Sequence, residues 1–234
     1  IRSRDIEFYF FRFDFVIVFH NNKVLSFIMN IEIKISKKPV DYQKAIEELE
    51  QRTLQVHRKE KSELIWILEH KDIYTCGTSG KDSELLDKKK FPILKTNRGG
   101  KWTYHGSGQK IVYFVLDMNH RGKEIRKLVR TIEKWIILIL NKHNIKAHAD
   151  SKNIGIWIDK DNKEYKIAAI GLKVKKWIAY HGFALNLDVN KKNYNGIIPC
   201  GISDRGIINW LELKKIPKSL DETIISSFKE IFTD

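Results

Sequence analysis

Cysteine is scarce in this chain of 234 residues, which has only Cys76 and Cys200. So few thiols exclude a disulfide framework, and their separation offers no C-x-x-C metal spacing. A reducing, cytosolic setting is expected. The most apolar stretch, 8–19, is broken by Arg12 and Asp14 and falls short of the ~20 residues of a spanning helix. No small-residue cleavage pattern follows it, so neither a membrane partner nor a secretory leader is expected. Also missing are the G-x-x-x-x-G-K-[ST] and G-x-G-x-x-G phosphate patterns. Paired histidines at ligand spacing, internal repeats and low-complexity linkers are absent too, and no metal is assigned. Acidic side chains are in deficit, 29 against 43 Lys and Arg, giving a formal net charge of +14. That sign admits a nucleic acid, an anionic membrane or an acidic protein. The lysines are scattered, however, and no zinc-finger, helix-turn-helix or RNP pattern accompanies them, so no nucleic-acid partner is expected.

What is present suffices for one core, at 42% hydrophobic content. Residues 29–234 read as a single catalytic domain. Residues 1–28 read as an N-terminal extension outside the functional fold, with an edge strand through Phe13, Phe15 and Ile17 as the alternative. Alternation in Ile31–Ile35 predicts a strand, and Tyr42, Ala45, Ile46, Leu49, Thr53 and Val56 predict a helix with Asp41 at its N-cap. Leu64–Leu68 and Ile111–Leu116 are continuous apolar runs suited to strands covered on both faces. A glycine-dense, loop-rich stretch between them reads as a binding rim. A helix is predicted over 123–143, strands at 154–158, 165–174 and 177–187, and a closing helix over 219–232. Strands and helices mixed without a strict βαβ rhythm give an α+β class.

The chemistry centres on Cys200. Pro199 and Gly201 bracket it, which is turn chemistry that exposes a side chain, although a lone intracellular cysteine is also commonly a buried small hydrophobe. A thiol with its ordinary pKa near 8.5 is only a few per cent thiolate at neutral pH and needs a cation nearby to act as a nucleophile. Lys166 is the candidate, lying in a strand-like run followed by Ala168, Ala169 and Gly171, small residues that let a substrate chain approach the backbone. The segment 98–109 is either a turn cluster or a wall of backbone N–H groups, with Arg98, Tyr104 and His105, around an acyl thioester. His105 and His181 lack ligand-spaced partners, and each is expected to satisfy a structural hydrogen bond. Cys76, at a strand exit with no adjacent base, is given no chemical role.

Four blocks together carry a resemblance: Arg98-Gly99-Gly100-x-x-Thr103-Tyr104-His105-Gly106-x-Gly108-Gln109, Lys166 to Gly171, His181-Gly182-Phe183-Ala184-Leu185-Asn186, and Pro199-Cys200-Gly201-Ile202. The chain resembles the lipoyl(octanoyl) transferase family from about Glu63 to Ile208. The resemblance implies a biotin/lipoyl protein ligase-like α+β fold with a mixed sheet flanked by helices. It implies a cytoplasmic acyltransferase that moves an octanoyl group from octanoyl-acyl carrier protein to a lysine of lipoyl domains, those of 2-oxoacid dehydrogenases and the glycine cleavage H protein. Carried over by position, Cys200 holds the acyl thioester and Lys166 lowers its pKa. Substrate contacts fall on Arg98, Gly99, Gly100, Lys101, Trp102, Thr103, Tyr104 and His105, on Ala169, Ile170 and Gly171, and on Gly182, Phe183 and Ala184. No cofactor or metal is implied, because a thioester is already activated. Two positions depart from the family pattern, Ser107 where proline is usual and Trp102 where a smaller side chain is. Alternatives of the same fold are a lipoate–protein ligase, which needs ATP, and an amidotransferase between lipoyl domains. A carrier-protein or nucleic-acid binding module is the non-enzyme alternative.

Overall fold

The apolar runs 64–68 and 111–116 form the middle of the fold because each alternates its side chains between two covered faces. The computed structural model describes the backbone of residues 6–18, 24–198 and 205–233, and side chains over 31–198 and 205–232. Its elements begin with β1 (Ile6–Val18), β2 (Val24–Ser36), α1 (Tyr42–His57), β3 (Glu63–Leu68), β4 (Ile73–Cys76), β5 (Ile93–Lys95) and β6 (Trp102–His105). There follow β7 (Gln109–Asp117), α2 (Ile125–Asn141), β8 (His148–Ala149), β9 (Ile156–Lys160), β10 (Lys163–Lys175), β11 (Ile178–Asn186), β12 (Gly206–Ile207) and α3 (Leu220–Thr233).

The main sheet runs β1-β2-β3-β7-β11-β10-β9-β8, with β12 paired to β10, and it is mixed: β2–β3 and β10–β12 are parallel and the other pairs antiparallel. Leu64, Trp66 and Leu68 of β3, with Ile111, Tyr113 and Val115 of β7, pack against α1. Their neighbours Ile65, Ile67, Val112, Phe114 and Leu116 face the opposite way, onto α2 and α3. This is period-two alternation with both faces apolar. The expected α+β class, a mixed sheet with helices on both faces, is the fold observed.

Helix α1 begins where Asp41 accepts from the Lys44 backbone N–H at 3.1 Å, the N-cap expected from the sequence. Helix α2, within the span 123–143 expected to be helical, buries Leu128, Ile132, Trp135, Ile136, Ile139 and Leu140 at i, i+3, i+4 and i+7 spacing, while Ile125 at its first turn is exposed. Strands β10 and β11 close on a two-residue turn, Lys176-Trp177, with φ of 53° and 60°, which is the double left-handed geometry of a type I′ hairpin.

The region read as loop contains more order than the sequence implies. A second sheet, β5-β4-β6, buries Tyr74, Cys76, Trp102 and Tyr104 against Val189, Tyr194 and Ile197. Strands of three or four residues between glycines are too short for alternation to register as a pattern.

Trp135 is fully buried, edge-on to Phe183 and Phe228 at 5.1 Å, and its Nε1–H donates to the Ile224 carbonyl of α3 at 2.9 Å. Trp135→Ala is expected to lower stability by about 3–5 kcal/mol, read as a fall in the urea midpoint with the denaturant slope unchanged.

Candidate active site

The glycine loop is held by its own arginine. Arg98 Nη1 donates to Gly99 O at 3.0 Å, while Nη2 reaches Thr75 Oγ1 at 2.8 Å and the carbonyls of Thr75 and Lys101 at 3.0 Å. The planar fork of the guanidinium suits several fixed acceptors at once. Gly99 N–H donates to Leu172 O on β10 at 2.9 Å. Two sequence blocks about seventy residues apart thus meet edge to edge.

Between them lies a cavity enclosing about 510 Å³ of empty space, its open mouth included. Arg98, Gly100, Lys101, Trp102, Thr103 and His105 line it from the loop and β6. Ala169, Ile170 and Gly171 line it from β10, and Gly182, Phe183 and Ala184 from β11. A side chain at Gly182 would put a Cβ 1.9 Å from Val112 O, so only glycine lets β11 lie against β7 at that point.

Two of the expected substrate contacts stand outside this lining, as does Lys166. Gly99 is spent on the bond to Leu172. Tyr104 is buried with its hydroxyl donating to Asp72 Oδ1 at 2.6 Å and accepting from Asn193 Nδ2 at 2.8 Å, and burial pushes its pKa upward. The two departures from the family pattern also separate: Trp102 lines the cavity, its Nε1–H donating to Lys81 O at 2.8 Å, whereas Ser107 lies on an exposed turn.

Tyr42, Ile111, Tyr113 and His181 complete the lining and were not singled out beforehand as substrate contacts. Tyr42 and Tyr113 sit on the apolar faces of α1 and β7, so their periodicity could mark them as buried but not as cavity walls. Behind them is a knot of neutral rings. His70 Nδ1 lies 2.8 Å from Val40 O, which can only accept, so Nδ1 carries the proton and Nε2 accepts from Tyr113 O–H at 2.8 Å. Burial lowers the His70 pKa to about 4. Gln109 donates its amide to Asn186 and Tyr194, which turns its oxygen toward His105 Nδ1–H at 2.7 Å. Burial holds His105 well below its ordinary range.

His181 differs from both. It is 1% exposed, and neither ring nitrogen has a hydrogen-bond partner among the described residues. The expected structural hydrogen bond is therefore not made among the described residues. Its φ is 71°, a conformation that costs a non-glycine residue about 1–3 kcal/mol. Strict alternation would place it on the face of Phe114, its register partner. Instead the ring stacks on Tyr180 at 4.9 Å and meets Tyr113 edge-on at 6.2 Å. Burial first, then the positive charges of Arg98 and Lys173, push its pKa down to about 3.

Lys166, on β10, is 7% exposed. Its Nζ donates to Ile154 O at 3.2 Å and lies 4.7 Å from the Trp157 ring centroid, an ammonium over an indole face. Gly155, at φ 143°, leaves room: a Cβ there would sit 2.9 Å from Lys166 Cε. Pro199, Cys200, Gly201 and Ile202 lie outside the described residues. Before them, Ile198 N–H donates to Glu84 O at 2.8 Å; after them, Gly206 and Ile207 pair in parallel with Tyr165 and Lys166. Cys76 is buried, which pushes its thiol pKa up, and it donates to the Gly77 carbonyl at 3.4 Å. His148, Asp159 and Glu164 converge within 4.8 Å. Each His148 nitrogen faces a different carboxylate, at 3.5 and 3.1 Å, and Arg205 lies 3.2 Å from Glu164, so the group is built as an ion-pair cluster.

The model of the lipoyl protein ligase A/B catalytic domain matches residues 41–232. The chain belongs to this family. Among curated relatives, a protein of Paramagnetospirillum magneticum named octanoyltransferase is 38% identical, the match covering 86% of this chain and 97% of the relative. Proteins of the same name from Ehrlichia chaffeensis and Wolbachia pipientis are each 41% identical, with coverage of 87% and 97%, and of 85% and 98%. Among solved structures, a putative lipoate protein ligase from T. acidophilum with bound lipoic acid superposes with a TM-score of 0.65 at 14% identity, covering 87% of this chain and 85% of that one. A lipoate-protein ligase A bound with ATP superposes at 0.61 and 15% identity, covering 77% and 78%. Both share the fold of this family member.

The neutral histidines generate a pH dependence. His70 titrates near 4 when folded and near 6.5 when unfolded, so between those values the unfolded chain binds the extra proton. Its contribution is fully present above pH 6.5 and is lost as pH falls toward 4, on the order of 3 kcal/mol. Urea midpoints are expected to fall between pH 7 and pH 5, and the fall is expected to be smaller in His70→Gln.

Proposed function

We propose that the protein is an octanoyltransferase of protein lipoylation, acting in the cytoplasm, with octanoyl-acyl carrier protein as donor and lipoyl domains of 2-oxoacid dehydrogenases and the glycine cleavage H protein as acceptors. One observation carries the activity: relatives of that name at 38–41% identity are matched over 97–98% of their length. The ATP-bound ligase is similar at 15% identity and in fold alone. Residues 29–234 are the proposed catalytic unit, with 1–28 an addition to it.

In the proposed mechanism the Cys200 thiolate attacks the octanoyl thioester. A sulfur–carbon bond forms, the carrier's carbon–sulfur bond breaks, and the carrier thiolate takes a proton from the Lys166 ammonium. The acceptor lysine amine then attacks the enzyme thioester; a carbon–nitrogen bond forms, Cys200 leaves as thiolate, and Lys166 recovers the amine's proton. A buried ammonium engaged by a carbonyl and an indole supports this role for Lys166, and the chain re-enters beside it after the segment that contains Cys200. Register levels Ala169–Ala184 and Leu172–His181 lie three residues apart on β10 and β11, about 10 Å at the rise of a strand, which suits a medium-length acyl chain. The proposed chain contacts are Arg98 to His105, Ala169 to Gly171 and Gly182 to Ala184. The net charge of +14 favours encounter with acidic carrier proteins.

Mixing the protein with octanoyl-acyl carrier protein is expected to raise its intact mass by one octanoyl group, and adding a lipoyl domain is expected to remove it. Cys200→Ala is expected to show no gain. Transfer by that variant at the unaltered rate would end the covalent mechanism. Lys166→Ala is expected to slow transfer by ~10²–10⁴-fold, the usual worth of a positioned proton donor.

A further inference from the structure

Most polar groups around the cavity are already satisfied by protein, but those of three lining residues are not. The Tyr42 hydroxyl, Arg98 Nε and both ring nitrogens of His181 are buried and lack hydrogen-bond partners among the described residues, and all three residues line the cavity; of the three, only His181 has two such atoms. Buried polar atoms in native proteins are nearly always bonded, so such orphans mark a place for a group from outside the chain. His181 also holds a left-handed backbone in the middle of a strand paired on both sides, a conformation that turns its ring toward Tyr113 and Tyr180. Residues kept in such conformations cluster at ligand sites.

The position along the sheet says which part of a ligand comes there. Lys166 precedes Ala169 by three residues on β10, and His181 is paired with Leu172, three residues beyond Ala169. His181 therefore stands at the end of the cavity away from Lys166. An acyl chain whose carbonyl lies at the Ala169 level, on the Lys166 side, brings its last carbons ~10 Å along the strands toward the imidazole. A saturated chain ending in methyl leaves the ring unbonded. A neutral imidazole offers one donor and one acceptor, the complement of a hydroxyl.

We propose that His181 is a specificity-determining residue that binds the distal end of the acyl chain, and that the cavity takes medium-length acyl groups carrying a hydroxyl on the terminal carbon as readily as the plain chain. This rests on the acyl-transfer function proposed above, and its test is kept separate from turnover. The probes are amide analogues of octanoyl-pantetheine and 8-hydroxyoctanoyl-pantetheine, in which nitrogen replaces the thioester sulfur so that no transfer occurs. Calorimetric affinities are measured for the full chain, for His181→Leu and for His181→Asn, since asparagine tolerates the left-handed backbone and can still hydrogen-bond.

The unaltered protein is expected to bind the two analogues within about threefold of each other, because the hydroxyl finds the partners it loses in water. His181→Leu is expected to weaken the hydroxylated analogue at least tenfold while leaving the plain one within threefold, and His181→Asn to recover part of the loss. Discrimination against the hydroxyl by more than tenfold in the unaltered protein overturns the proposal even if neither variant folds. So does an equal loss for both analogues in His181→Leu, which would make the residue structural. If neither analogue binds, the cavity is no acyl site and the proposal falls. An absent mass gain with octanoyl-carrier protein, by contrast, counts against the transfer reaction alone.

Discussion

The cavity depends on the Arg98 guanidinium, which ties a loop with little side-chain bulk of its own to β4 through Thr75 and to itself through Gly99 and Lys101. Glycine-rich backbone has the most conformational freedom to lose on folding, and a flexible wall would not present a fixed surface. Hydrogen bonds to a charged donor are stronger than neutral ones, and here they are made out of water. The docking of Gly99 on Leu172 then sets the width between the loop and β10. Trp102, Thr103 and His105 follow in β6 and inherit that position.

Behind this wall the sheet supplies rigidity. Alternating side chains of β3 and β7 are committed to two separate cores, so a slip of one residue in either strand would exchange both faces at once. The register from β7 through β11 to β10 is therefore strongly specified, and it is this register that sets Gly182 opposite Tyr113 and Gly171 opposite Gly182. The buried neutral imidazoles of His105 and His181, with His70 neutral behind them, add no charge to the cavity.

Elements with many periods were readable from the sequence, and those with few were not. The α2 stripe and the β3 and β7 runs stood out because their burial repeats over several turns or pleats. The small sheet β5-β4-β6 did not, since its strands span three or four residues and their burial is supplied by Tyr194 and Ile197 far along the chain. Most of the cavity lining came from glycine-bearing blocks whose spacing carries the resemblance. Tyr42, Ile111, Tyr113 and His181 were harder to see because nothing local distinguishes an apolar-face aromatic that meets another side chain from one that meets an opening. The clue at His181 was present, a polar ring in an otherwise apolar strand, but the left-handed turn of its backbone is a tertiary property.

The seating of Lys166 has a consequence of its own. Its ammonium rests on the Trp157 indole and a carbonyl oxygen, with Arg205 over the same ring at 4.8 Å and no carboxylate against it among the described residues. An acid there would have quenched the positive potential at its source. Cushioned by an aromatic face instead, the cation keeps its reach, and any soft anion entering that corner feels an attraction that nothing nearby has already spent.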